Sequence, residues 1–168
     1  PKGFTKNTTD SISTIDNKKM SASLDTTADL SWYLTNVSNQ DALEYEMILK
    51  SKPKTNNFCF PIESEGLNFY YQPPLNELYN NYTNCNETEC WNLSKDIINA
   101  HRPENIVGSY AVYGNKKNNE YQNGKVMHIY RPFAFDVDGN KVWGNLTINE
   151  TSKELCILIS QNFLDKNK

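Results

Sequence analysis

Several groups of residues in this sequence have types and spacings that could do chemistry. The first is Asp136-Val-Asp138-Gly139-Asn140, which has the look of a calcium-loop fragment. If Asp138 and Gly139 take positions five and six of an EF-hand, Ala134 falls at position one and Asn145 at position twelve, where carboxylates are required. Between the runs FAF and KVW the same residues read better as a hairpin turn, with Gly139 supplying a positive φ. The second group, Glu44 and Glu46, could imitate a glycosidase pair. Catalytic carboxylates must flank a substrate from different elements, however, and these two share one strand face, which reads as a solvated face. The third is the pair of histidines. His101 stands beside a helix end, His128 lies inside a strand, and no nucleophile elbow accompanies either. No catalytic, metal or cofactor residue is assigned, and the chain reads as a non-enzyme. The fourth is an aromatic set, Phe69, Tyr70, Tyr71, Tyr79, Tyr82 and Trp91. Tyr71, Tyr79, Tyr82 and Trp91 are the candidates for stacking on sugar rings; Tyr-rich loops also simply cover the end of a β-sandwich.

Asparagine is over-represented, with 24 in 168 residues. Ser and Thr together also number 24, so chance alone gives about three Asn-X-Ser/Thr sites. Seven are present, at Asn7, Asn36, Asn81, Asn86, Asn92, Asn145 and Asn149, none with an intervening Pro. All are competent N-glycan acceptors in a secretory route. Asn145 and Asn149 share strand parity, so Asn145, Thr147 and Asn149 are expected outward and Leu146 and Ile148 inward.

The four cysteines agree with an oxidising compartment. Cys85 and Cys90 sit in one polar loop and are expected to form a short-range disulfide; a metal site would need two further ligands that the histidine spacing does not supply. Cys59 and Cys156 each interrupt an apolar, strand-like run. The core faces there are Phe58, Phe60 and Ile62 in one run and Leu155, Ile157 and Ile159 in the other. Both thiols therefore leave the core face, and they can bond only if the two strands are neighbours in matching register.

These groups must be carried by β-structure. Residues 1–29 are polar and low in aromatics and read as an N-terminal arm or linker. From Leu30 the period becomes two: LSWYLTNV, ALEYEMILK, NFCFPIE, LNFYY, IVGSYAVYG, GKVMHIYR, FAFDV, KVWGNLTIN and ELCILIS are strand candidates. In ALEYEMILK the face Leu43, Tyr45, Met47 and Leu49 is expected to be half-buried. Pro61 indicates an edge strand or a bulge. Residues 72–105 form a long excursion with one short helix, KDIINA, capped by Ser94 and stapled by Leu93 and Ile98. The expected fold is an all-β antiparallel sandwich of about eight or nine strands over residues 30–168, with a disulfide-closed, glycosylated excursion at 72–105.

A net charge of −3 argues against a general nucleic-acid partner, and no apolar run approaches the roughly 18 residues of a membrane span. The chain begins at Pro1 with neither initiator Met nor signal peptide, which reads as a piece of a longer protein. The runs GLNFYYQPPL, RPENIVGSYAVYG, GKVMHIYRPFAFDVDGNKVWG and LCILISQNFLD, over residues 43–165, resemble an uncharacterised β-rich domain of phage-like and environmental surface and structural proteins. That resemblance implies a sandwich building block of an extracellular or virion structure and carries over no site residue. The expected function is a glycosylated subunit of an extracellular filament, appendage or surface layer at a cell or virion surface. Its partners are copies of itself, joined by strand addition through the arm, and covalent N-glycans. A carbohydrate-binding module using the aromatic-rich loop is the alternative.

Overall fold

The computed structural model describes residues 13–16, 19–37, 39–74, 102–115 and 124–166. Among them the chain is all-β, with twelve strands in antiparallel sheets and one short helix. It divides into two compact units, Pro1–Phe58 with Ser160–Lys168, and Cys59–Ile159.

The first unit carries a four-stranded meander of β1 (Ser13–Asp16), β2 (Lys19–Asp25), β3 (Ala28–Val37) and β4 (Gln40–Leu49). β3 and β4 pair without interruption from Ala28↔Leu49 to Val37↔Gln40. Their hairpin turns through Asn39 at φ +61°, a left-handed conformation that Asn tolerates. Within the arm expected over 1–29, residues 13–16 and 19–25 are strands of the chain's own sheet and the expected boundary at Leu30 falls inside β3, while residues 1–12 lie outside the described residues. The signal was the alternation of Met20, Ala22 and Leu24 with Ser21 and Ser23, muted by the small side chains.

Register sorts this sheet into two faces. One is polar: Lys19 Nζ donates to Glu46 at 2.8 Å, and Lys50 Nζ and Ser23 Oγ both donate to Asp29 Oδ1. Those two donors hold the Asp29 carboxyl below the usual carboxylate range. The other face is apolar, with Met20, Trp32 and Tyr45 in one row, Ala22, Leu30 and Met47 in the next, and Leu34 opposite Leu43 towards the hairpin tip. It is buried at its Ala28 end and bare at the tip, where Leu34 is 75% and Tyr45 66% exposed. The half-buried face expected for β4 is thus only partly covered: Met47 and Leu49 are half-buried, Leu43 and Tyr45 exposed. The helix α1 (Gln161–Lys166) also belongs to this unit, with Leu164 buried and Asp165 paired to Lys52 at 2.5 Å. The helix expected at 95–100 lies outside the described residues.

The second unit holds β5 (Asn57–Pro61, entering it at Cys59), β6 (Leu67–Gln72), β7 (Ser109–Gly114), β8 (Lys125–Ile129), β9 (Phe133–Phe135), β10 (Lys141–Trp143), β11 (Asn145–Asn149) and β12 (Glu154–Leu158). They form sheets in the orders β6-β7-β8, β11-β12-β5 and β10-β9. β5 is an edge strand, which suits Pro61 because proline has no N–H to give a neighbour. The run KVWGNLTIN, expected as one strand, is two. Gly144 separates them because the chain passes close to its neighbours there: a Cβ at Gly144 would lie 2.9 Å from Ile159 Cδ1 and 3.3 Å from the Leu158 carbonyl. The core of this unit includes Val112, Ala111, Leu146 and Ile159.

Cys59 and Cys156 are disulfide-bonded, 97 residues apart in sequence. The register expected for them is present. β12 lies beside β5, and Ile62 N–H donates to the Lys153 carbonyl at 3.0 Å, three residues beyond each cysteine in the antiparallel sense. Closing a loop of this length stabilises by up to about 4–5 kcal/mol in the chain-entropy model. Replacing both residues, Cys59→Ser with Cys156→Ser, should lower the unfolding free energy in urea by about 2–5 kcal/mol. Gly144→Ala should cost about 1–3 kcal/mol through overpacking against Ile159 and the Leu158 backbone, read in the same titration.

Candidate functional site

A cleft of about 570 Å³ opens within the second unit. Tyr71 and Pro74 reach it from the end of β6, and Val107, Gly108 and Tyr110 from the turn into β7. Arg131 comes from the link between β8 and β9, and Gly144, Asn145, Leu146 and Thr147 from the β10–β11 junction.

Backbone hydrogen bonds fix the turn. Ile106 and Val107 N–H both donate to the Pro103 carbonyl, Gly108 N–H to Gln72, and Arg131 N–H to Asn105. Gly108 stands at φ +80°, where a side chain would strain the backbone, and the Arg131 stem runs against it at 3.6 Å from where a Cβ would be. Arg131 Nε donates to the Gly144 carbonyl at 3.1 Å, and its Cζ lies 5.3 Å from the Trp143 ring centroid. Tyr71 and Tyr110 are cross-strand partners whose rings meet edge to face at 5.4 Å. Tyr110 Oη accepts from Ile148 N–H at 3.3 Å, which leaves its proton available to a ligand.

Beside the cleft, the β9–β10 hairpin is an aromatic and cationic cluster. Phe133 packs edge to face on Phe135 and on Trp143. Lys141 Nζ lies 3.8 Å from the Trp143 centroid and 4.4 Å from that of Phe133. Trp143 Nε1 donates to Glu104 at 2.9 Å. The turn of this hairpin decides the reading of Asp136. Asp136 Oδ1 accepts from the backbone of Asp138 and Asn140, and Oδ2 accepts from Asn140 Nδ2. These donors, the Asn140 amide foremost, hold its carboxyl below the usual range. Both oxygens serve the turn, with Gly139 at φ +82° as expected.

Ser109 and His128 form a pair not anticipated from the sequence. Oγ lies 2.8 Å from Nε2, the distance of a nucleophile and its base. The polarity is the reverse of that chemistry. Ser109 gives its one proton to the Ile106 carbonyl at 2.5 Å, so Nε2 must carry a proton and donate it to Oγ. Ser109 is also fully buried, so no substrate reaches it. The pair ties β7 to β8 in the sheet. Burial, with Lys125 nearby, lowers the His128 pKa from the ordinary 6.5.

Of the expected modification sites, Asn36, Asn145 and Asn149 are exposed. Asn145, Thr147 and Asn149 face out along β11, while Leu146 is buried and Ile148 half-buried. Asn149 Oδ1 accepts from Thr151 and Ser152 N–H, which shapes the following turn. Asn145 is both a sequon and a cleft residue, so a glycan on its Nδ2 would stand at the cleft. Asn7, Asn81, Asn86, Asn92, Cys85, Cys90, Tyr79, Tyr82, Trp91 and His101 lie outside the described residues. Tyr71 is the one sugar-stacking candidate among those described, and it lines the cleft. Sequence reasoning missed Arg131, Tyr110 and Thr147 as its companions. Only the alternation in SYAVYG and NLTIN pointed to Tyr110 and Thr147, and nothing pointed to Arg131, because their convergence depends on Gly108 and Gly144. Compared with protein-family models, with curated proteins and with solved structures, the chain has no match.

The lowered His128 pKa sets a pH dependence. As pH falls below about 6.5 the unfolded chain takes up the proton first, so stability is full above that value and declines as pH drops towards the folded pKa. Urea unfolding from pH 7.5 to 5 should show this decline, and His128→Gln, which keeps a donor for Ser109, should flatten it.

Proposed function

We propose that this chain is a structural subunit of an extracellular filament, appendage or surface layer, glycosylated on outward asparagines and without enzymatic activity. The observation that carries this reading is the bare apolar face at the tip of the β1–β4 sheet. Met20, Leu34, Leu43 and Tyr45 are 42%, 75%, 51% and 66% exposed and adjoin one another through the strand register. A contiguous apolar patch of this kind marks an interaction surface. Asn36 and Asp41 share the face at the hairpin tip and supply a polar rim in copies whose Asn36 carries no glycan. The occupant is a second copy of the chain. The exposed part of the face bears no charge inside that rim, so two copies pack face to face without charge repulsion and complete a β-sandwich between them. Two-fold packing alone yields a dimer. Propagation uses the outer edge of β4, a ten-residue edge strand without proline and a template for strand addition. The Cys59–Cys156 bond supports an oxidising, extracellular setting, and no helix among the described residues is long and apolar enough to cross a membrane.

Sedimentation velocity over a concentration series tests this. The chain should self-associate, and Leu34→Asp or Tyr45→Asp should weaken association by about ten-fold or more, the equivalent of losing one buried apolar side chain. A monomer at every concentration overturns the reading.

The cleft favours a second reading, a carbohydrate-binding module. Tyr71 presents a half-exposed ring there, beside the exposed Asn145 and Thr147.

A further inference from the structure

Resting on the carbohydrate-binding reading, we propose that the cleft selects a carboxylate-bearing saccharide, whose carboxylate pairs with Arg131 and whose ring lies against Tyr71.

Arg131 is the reason for the acidic choice. Its position is fixed at the Gly144 carbonyl, the Gly108 backbone and the Trp143 ring. Only its Nε has a hydrogen-bond acceptor among the described residues. Among the described residues no carboxylate pairs with the guanidinium, and neither terminal nitrogen has an acceptor. Glu104, which accepts from the Trp143 indole N–H, keeps its charge beside this cluster but makes no ion pair with Arg131. Lys141, held over Trp143 and Phe133, adds a second positive charge to the same cluster. A half-buried cation at a cleft wall, with no ion-pair partner among the described residues, favours an anionic ligand. The remaining planar fork of N–H groups matches a carboxylate.

The other walls are the reason for a saccharide. Tyr71 offers a ring braced by Tyr110, the surface that the C–H face of a pyranose needs. Asn145 and Thr147, together with the phenolic hydroxyls, bring groups that both donate and accept, as a polyol requires. At about 570 Å³ the cleft lies within the range of small-ligand sites and has room for a short oligosaccharide. A glycan on Asn145 would compete for this space, so binding is strongest when Nδ2 is unmodified.

The test uses the full chain made in bacteria, with Asn145 bare, on an array of neutral, uronate-bearing, sialate-bearing and sulfated glycans. Trigalacturonate and its methyl ester are then compared by calorimetry. Binding should be confined to carboxylate-bearing glycans. In the uronate pair the ester should bind at least ten-fold more weakly, or, if sialates alone are retained, the same drop should follow esterification of the sialate. Arg131→Gln should abolish this discrimination, and Tyr71→Ala, at a half-exposed ring that leaves the fold intact, should weaken binding at least five-fold. Equal binding of acid and ester overturns the acidic selectivity and keeps the carbohydrate reading. Retention of sulfated glycans and displacement by inorganic phosphate alone would show a plain anion site and overturn the proposal. No retention on any glycan overturns both.

Discussion

The Cys59–Cys156 bond is the constraint on which the second unit depends. Cys59 is the first residue of that unit and Cys156 lies three residues from its end, so one covalent link closes nearly all of it. The value of this link is clear from the core. Among the described residues the largest fully buried side chains are Val112 and Ser109, and no aromatic is buried to that degree. A core of aliphatic side chains such as Ala111, Val112, Leu146 and Ile159 buries little aromatic area, and the cross-link adds stability by restricting the unfolded chain. The sheets held within the closed loop then set the positions of Tyr71, Arg131 and Asn145 around the cleft.

The aromatics missing from the core are at the surface. Tyr70, Tyr71, Phe133 and Phe135 in the second unit, and Tyr45 in the first, are each close to half exposed or more. Some recover stabilisation from one another, as in the edge-to-face contacts of Tyr70 with Tyr113 and of Phe133 with Trp143. Lys141 and Arg131 add cation–π contacts at Trp143. The bare face at Leu34 and Leu43 has no such compensation within the described residues, and a chain that displays it gains from covering it with another copy. Arg131 is the parallel case for charge, placed by the fold and without an ion-pair partner among the described residues.

The sequence disclosed those features that depend on strand parity. The outward set Asn145, Thr147 and Asn149, the Asp136 turn and the adjacency of the Cys59 and Cys156 strands all follow from alternation and turn chemistry. Features that depend on where a sheet ends or what covers it were not legible. β2 was hidden because Ala22 and its flanking serines give a weak hydrophobic contrast. The break at Gly144 was hidden because it arises from Ile159 and Leu158 crowding the backbone, contacts far away in sequence. Tyr45 and Leu43 looked half-buried because period two identifies an apolar face without telling what, if anything, lies over it. Arg131 was missed as a cleft residue because its neighbours converge only through the positive φ of Gly108 and the turn at Gly144.

The central claim is that this chain builds a repeating structure through its apolar sheet face. Negative-stain electron microscopy of the full chain, kept oxidised and concentrated, tests it most directly. The account predicts ordered filaments or arrays of a constant repeat, which disperse when Leu34 and Tyr45 are both replaced by Asp. A field of separate, uniform particles at every concentration would contradict it.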